Sequence, residues 1–216
     1  GYNALAMSYF RQGDYESGLA VSREGLEKIP AGRNQFVDTI GNIYLKLGRY
    51  DEAADAFRDA ADTEAAREEP DLTFVENEYN NLGVTYLYMW QSVMKNQANM
   101  TPTEFEAAKL KVLEPALEAF NKSLSWGSQV FTAVDSYVNV ISWLNRGEEL
   151  SHEHELLLGE GEDFRSRYIL AKLAFNVNDF ETAIAHLEKT IDSDPIEPLF
   201  WFNYGYALDQ VGRLDD

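Results

Sequence analysis

Apolar and polar positions follow a helical period through most of the chain, and four short polar phrases cut that pattern. Leu5, Ala6 and Tyr9 stand before Gln12-Gly13-Asp14-Tyr15, and Tyr15, Gly18, Gly25 and Leu26 belong to the stretch that follows. Ile40, Gly41 and Tyr44 stand before Leu47-Gly48-Arg49-Tyr50, and Tyr50, Ala53, Phe57, Ala60 and Ala61 follow. The phrase returns as Val177-Asn178-Asp179-Phe180 and as Val211-Gly212-Arg213-Leu214. The first two are 35 residues apart and the last two 34. The spacings place large and small residues on one face of each helix. Small residues let two helices approach, and large ones fill the space beside them. The Gly or Asn at the second position of each phrase takes a left-handed backbone at little cost, just past a helix C-terminus. Each unit therefore predicts helix, tight turn, helix, and a period near 34 predicts a stack of such units presenting surface.

The middle of the chain departs from this pattern. Tyr79, Leu82, Gly83 and Tyr86 fit a first helix, and Ala116, Phe120, Ser123 and Leu124 a second. Tyr86 and Ala116 are 30 residues apart, about 21 more than the repeat allows. The first helix is expected to continue through Leu87, Trp90 and Met94. A new start is expected at Thr101-Pro102-Thr103-Glu104, with Thr101 as cap, Pro102 at the first helical position and Glu104 closing a capping box. Pro115 is expected to kink or break the helix that follows. The result is a long hairpin protruding beyond its neighbours. Residues 128–146 predict a further apolar helix, with Val130, Val134, Tyr137, Ile141 and Leu144 on one face. Ser151 to Leu158 predicts a short helix, followed by the loop Gly159-Glu160-Gly161-Glu162.

The pattern resembles the tetratricopeptide repeat, a 34-residue antiparallel helix pair. That family places small residues at the eighth, twentieth and twenty-seventh positions. Here the eighth is Ala6, Gly41, Gly83, Ala171 and Gly205; the twentieth is Gly18, Ala53, Ala116 and Ala183; the twenty-seventh is Gly25, Ala60, Ser123 and Thr190. The thirty-second, a proline that stops the second helix, is Pro30 and Pro195. The resemblance implies an all-α protein, a right-handed α-solenoid of antiparallel helix pairs with one elongated hairpin and one degenerate repeat in the middle. The expected organisation is a single solenoid over 1–216: repeats at 1–33 and 34–67, a repeat with the inserted hairpin at 72–127, a degenerate repeat at 128–163, a repeat at 164–197 and a partial one at 198–216. The alternative is a linker joining two arrays, which the apolar character of 128–146 opposes. Because the pattern opens within a first helix and stops within a second, an excerpt of a larger bacterial polypeptide is expected.

Composition narrows the partners. The chain has 216 residues, 45% of them hydrophobic, which suffices for a continuous repeat core. Its 37 acidic against 18 basic residues give a net charge of −19. Segments 1–75, 76–145 and 146–216 carry −6, −3 and −10. Nucleic acid, which demands a basic stripe, and anionic membrane surfaces are disfavoured. A basic protein partner is allowed, although solubility alone accounts for such a charge. No cysteine is present, so disulfides are excluded. No signal peptide or membrane-spanning run is visible, and a soluble protein is expected, in the cytoplasm rather than the periplasm.

Candidate chemistry is sparse. His152-Glu153-His154-Glu155 is the one ligand-type cluster, but a helical two-His zinc motif needs imidazoles four residues apart. A spacing of two splays them by roughly 200° on a helix. An extended loop would have to gather them with Glu160 or Asp163. The plainer reading is a solvated acidic helix start with Ser151 as N-cap. His186 reads as a boundary residue. No nucleophile elbow, phosphate-cradling loop or dinucleotide fingerprint occurs. Trp90, Trp126, Trp143 and Trp201 read as packing residues. No catalysis, cofactor or metal is expected.

The resemblance further implies that the first helices line a concave groove for a peptide or partner helix. Carried over by repeat position, the groove residues are Asn3, Met7 and Arg11; Gln35, Asp38, Asn42 and Lys46; Asn77, Asn80, Val84 and Tyr88; Arg165, Tyr168, Lys172 and Asn176; and Phe202, Tyr206 and Gln210. Asn42 and Asn80 suit a peptide backbone because an amide both donates and accepts. Some family members clamp a C-terminal carboxylate with Lys and Asn. Asp38 stands where that clamp would not want negative charge, so that activity is not expected. Lys46, Arg165 and Lys172 nevertheless leave an acidic or carboxylate-bearing peptide open. The implied function is a protein-interaction scaffold without catalysis, binding a partner protein or peptide through the groove, the hairpin or both. The alternatives are the recruiting arm of a larger enzyme, or self-assembly into a homo-oligomer through open solenoid ends.

Overall fold

A computed structural model describes residues 1–126, 131–159, 164–191 and 198–213, and all regular structure among them is helical. The chain divides into two compact units, Gly1–Gly127 and Ser128–Asp216. The first holds α1 (Tyr2–Gln12), α2 (Tyr15–Lys28), α3 (Arg33–Lys46), α4 (Tyr50–Ala65), α5 (Leu72–Asn96) and α6 (Pro102–Trp126). The second holds α7 (Phe131–Leu144), α8 (Gly147–Gly159), α9 (Phe164–Asn176), α10 (Phe180–Glu188) and α11 (Pro198–Gln210).

The turn residues do what their positions predict. Gly13, Gly48 and Gly212 have φ of 78°, 70° and 74°, and Asn178 has 59°. Asn145, at 58°, makes a fifth such turn between α7 and α8. Asp14 and Asp179 cap the helices that follow, accepting from the backbone N–H of Ser17 and Thr182. α2 ends at Lys28, and Pro30 opens the 3-10 turn Pro30–Gly32. Pro195 and the loop residues Glu160, Gly161 and Glu162 lie outside the described residues, as do Val130 and Leu214.

In the first unit each helix packs on its chain neighbours and α1 also packs on α3. The core runs through Leu19, Ile43, Phe57, Ala61, Val75 and Leu82. Phenylalanine against glycine sets the close approach within hairpins. A Cβ added at Gly41 would lie 2.6 Å from the Phe57 ring, and one at Gly83 would lie 2.6 Å from the Phe120 ring. Real Cβ atoms do not come that close, so the ring or a helix must shift. Gly83→Ala is therefore expected to destabilise the first unit by about 2 kcal/mol, read from denaturant unfolding; an unchanged midpoint would refute the tight pairing. At the twenty-seventh position the small polar residues satisfy themselves on backbone: Ser123 Oγ donates to the Glu76 carbonyl at 2.9 Å, and Thr190 Oγ1 to the Leu187 carbonyl at 2.7 Å.

α5 and α6 have 25 residues each, against 11 to 16 for the other helices of the unit, and form the long hairpin. The capping box is formed: Thr101 N–H donates to Glu104 Oε2 at 2.8 Å, and Glu104 N–H to Thr101 Oγ1 at 3.3 Å. Beyond Trp90, which packs near Phe105, the tip is largely exposed. Of the kink or break expected at Pro115, the break does not occur: α6 runs continuously through it. Proline removes one intrahelical donor, but Leu113, Ala116 and Phe120 around it are fully buried against the unit. That packing holds the helix together.

In the second unit α9 packs on α7, α8 and α10, and α10 packs on α11. Val134, Tyr137, Ile141 and Leu144 are buried, as their periodicity predicts. Residues 151–155 are not the solvated helix start expected of them. The helix begins at Gly147, so Ser151 lies inside it and is no cap. His152 is exposed, but His154 is buried rather than solvated. Its Nδ1 lies 3.2 Å from Ser166 Oγ and its Nε2 3.5 Å from the Tyr137 hydroxyl, with the Tyr137 ring edge-on. The two imidazoles point apart, as a spacing of two on a helix requires. Glu160 and Asp163, the other ligands considered, lie outside the described residues. Trp143 and Trp201 are exposed by 41% and 44%, so packing accounts for only part of each ring.

Candidate functional site

The first helices α1, α3 and α5 line a cavity of about 480 Å³ on the first unit. α1 contributes Asn3 and Met7; α3 contributes Gln35, Asp38 and Thr39; α5 contributes Phe74, Asn77, Glu78 and Asn81. The residues from α5 fall at i, i+3, i+4 and i+7, one stripe of a helix. The α1–α3 rim is tied together: Asn3 Nδ2 donates to Gln35 Oε1 at 3.4 Å, and Thr39 Oγ1 lies 3.2 Å from Asn3 Oδ1 while donating to its own Gln35 carbonyl at 2.8 Å. The α5 side is open. The side-chain amides of Asn77 and Asn81 make no hydrogen bond among the described residues. Each offers two donors and an acceptor to whatever enters.

Two carboxyls meet on this wall. Asp38 is half-buried, and its Oδ1 accepts from Asn42 Nδ2 at 2.8 Å. Glu78 is only 2% exposed. The two carboxyls stand close enough to share a hydrogen bond once one of them is protonated, and among the described residues Glu78 Oε2 has no hydrogen-bond partner. Such a pair needs one proton between its oxygens. Burial, then the charge of Asp38 and the bond to it, push the Glu78 carboxyl up to about 9. Burial also raises Asp38, against the opposing effect of its bonds to Asn42 and Glu78. At neutral pH the pair holds one proton and one negative charge.

The sequence-predicted groove residues divide. Asn3, Met7, Gln35, Asp38 and Asn77 line the cavity, and Asn42 stands beside it bonded to Asp38. Arg11 and Lys46 are exposed and do not line it. Asn80 and Val84 are half-buried outside it, and Tyr88 stacks on Tyr50 at 5.8 Å. In the second unit Tyr168 is core rather than groove: it is 1% exposed, and its hydroxyl accepts from Asn203 Nδ2 at 2.8 Å. Its ring packs on Phe164 and Phe200. Lys172 pairs with Asp135 at 2.8 Å, so it adds no uncompensated positive charge for an acidic peptide. Asn176 Nδ2 donates to Ser142 Oγ at 2.6 Å. Arg165 is half-buried, while Phe202, Tyr206 and Gln210 are exposed. Phe74, Thr39, Glu78 and Asn81 were not among the predicted residues. A signal for Glu78 is present: it holds the third repeat position, where the preceding repeat has the core residue Phe36.

Three first helices lining one cavity, each backed by a second helix, define a helical-repeat protein with a groove. Residues 38–66 and 168–216 match family models of the tetratricopeptide repeat, and these segments carry that repeat. No curated protein matches it by sequence. A thermophilic repeat protein of Thermus thermophilus is similar in structure, with 15% identity and a TM-score of 0.50, over 96% of this chain and 97% of that one. The yeast Sti1 TPR2AB domain in complex with pHSP90 is similar at 16% identity and a TM-score of 0.51, over 97% and 83%. Human IFIT1, as a dimer with m7Gppp-AAAA, is similar at 12% identity and 0.52, over 99% of this chain and 51% of that one. At these identities the likeness is one of fold. Among the described residues no helix is long and apolar enough to cross a membrane.

Proposed function

We propose that the chain is a protein-interaction scaffold whose first unit holds an extended segment of a partner protein across α1, α3 and α5. The observation that carries this reading is the cavity walled by the amides of Asn77 and Asn81, which make no hydrogen bond among the described residues. Peptide backbone presents alternating N–H and C=O groups, and an amide side chain meets both. Phe74 and Met7 offer apolar surface to the side chains between them. The repeat fold presents surface rather than reacting groups, and no catalytic step is assigned to it.

Panning a displayed random-peptide library against the whole chain tests the reading. Peptides that bind are expected to lose about tenfold or more in affinity on Asn77→Ala with Asn81→Ala, the loss of one or two good hydrogen bonds. The melting temperature is expected to stay within about 2 °C, because neither amide supports the fold. Peptides that bind the double variant as tightly as the natural chain would remove the groove from consideration. A second reading places recognition on the hairpin tip, where Met94 and Leu110 are 45% and 48% exposed. Replacing residues 91–110 by a short turn separates the two, since groove binding survives that change.

A further inference from the structure

The geometry points to a lysine side chain of the partner as the group that the first unit's groove takes up, its ammonium seated between Asp38 and Glu78. This inference rests on the groove reading above and specifies its occupant. It starts from an unusual placement. Glu78 is almost fully buried at the wall of a cavity, and among the described residues its Oε2 has no hydrogen-bond partner. A carboxyl kept there without a donor is a poor structural element, because burying a charge is unfavourable unless it is paired. Beside it stands a second carboxyl, Asp38, on another helix.

Among the described residues, Asp38 and Glu78 are the cavity's only ionisable lining groups. α1 presents the neutral Asn3 and Met7, and the flanking α4 and α6 contribute no residue to the wall. The local field is therefore negative, and the fitting charge is a cation. An ammonium suits this arrangement better than a guanidinium. Its three donors radiate from one point, matching a carboxyl from α3, one from α5 and an amide oxygen of Asn77 or Asn81. A guanidinium fork wants both oxygens of one carboxylate, and Asp38 already has Oδ1 engaged by Asn42. The methylene stem of lysine lies along Phe74 and Met7.

The exchange balances in protons. In the empty groove the two carboxyls share one proton. When the ammonium enters, that proton leaves to solvent, both groups become carboxylates, and the ammonium keeps its own three protons. Binding therefore releases about one proton per lysine near neutral pH. It also tightens as pH rises towards the range where the empty pair would ionise.

The test uses peptides selected from the library against the whole chain, each with its amino terminus acetylated. A lysine at one fixed position is expected. Changing it to norleucine, or changing Glu78→Gln in the protein, is expected to weaken binding tenfold or more. Calorimetry in two buffers of different ionisation enthalpy is expected to show about one proton released at pH 7 with the natural chain, and none with Glu78→Gln. Between pH 6 and 8 the natural chain is expected to gain three- to tenfold in affinity per pH unit, while the variant stays flat. Peptides that depend on Asn77 and Asn81 but tolerate norleucine and Glu78→Gln would overturn the lysine site and leave the groove reading intact. Peptides that bind only with a free amino terminus would overturn lysine as the source of the ammonium. No groove-binding peptide at all would overturn both.

Discussion

Glu64→Ala lowers the stability of the first unit by about 3 kcal/mol at pH 7, the loss expected when a buried, fully bonded carboxylate leaves its donors behind. Glu64 lies near the end of α4 and is 1% exposed. Its oxygens accept from Asn34 Nδ2 at 2.6 Å, from the Asp71 backbone N–H at 2.9 Å and from Arg67 Nη1 at 3.0 Å. One side chain thus joins the start of α3, the end of α4 and the connector leading into α5, whose N-cap is Asp71. Alanine would remove the acceptor shared by the Asn34 amide, the Asp71 N–H and Arg67. Burial alone would raise the Glu64 carboxyl, but the bonds from Asn34, Asp71 and Arg67 outweigh it and hold the group below its ordinary range. The sign follows. The carboxylate's contribution is present above the unfolded value near 4.5 and is lost as pH falls through the folded one. The difference between Glu64→Ala and the natural chain should therefore shrink in acid. Guanidinium unfolding at pH 7 and at low pH reads both effects, and a loss under about 1 kcal/mol at pH 7 would show that the connector does not depend on Glu64.

Glu78→Gln moves stability the other way. The Glu78 carboxyl binds its proton more tightly in the folded protein, at about 9, than in the unfolded chain near 4.5. A group raised on folding contributes fully below 4.5, and that contribution is lost as pH climbs through the folded value. At pH 7 the unfolded chain gains by ionising Glu78 and the folded one does not, a penalty of about 3 kcal/mol. Glutamine keeps the shape, donates an N–H towards Asp38 and has nothing to ionise. The variant is expected to be about 2–3 kcal/mol more stable at pH 7, with the gain fading below pH 4.5. A gain that does not change with pH, or none at pH 8, would show that the pair does not share its proton. A stabilising substitution in the wall of a cavity is what a binding site, rather than a structural contact, leaves open.

Two glutamates 14 residues apart thus act with opposite sign, and the chain itself gives little warning of either. In a sequence with 37 acidic residues, a carboxylate reads as solvated surface. Glu64 is buried because Asn34 and Asp71 converge on it, and Glu78 because α3 brings Asp38 to it. His154 follows the same logic: it reads as part of an acidic, solvated stretch, yet Tyr137 and Ser166 enclose it. Pro115 reads as a kink or a break, yet the long packing of α5 on α6 carries the helix through it unbroken.

What was legible is local or periodic. Gly13, Gly48, Asn178 and Gly212 announce their turns because a left-handed backbone is a property of one residue. Thr101 and Glu104 announce a helix start because the bonds of a capping box span three residues. Gly41 and Gly83 announce close helix contacts because small residues recur at the same position of successive repeats. These features determined the helices, their turns and the repeat without further information. Which polar side chains ended up inside, which groove positions stay open and which, like Lys172 and Tyr168, are taken up by neighbours was decided only when distant helices met. The physical reason is that burial and proton sharing depend on what stands opposite a group in space, whereas helix and turn geometry depend on what stands beside it in the chain.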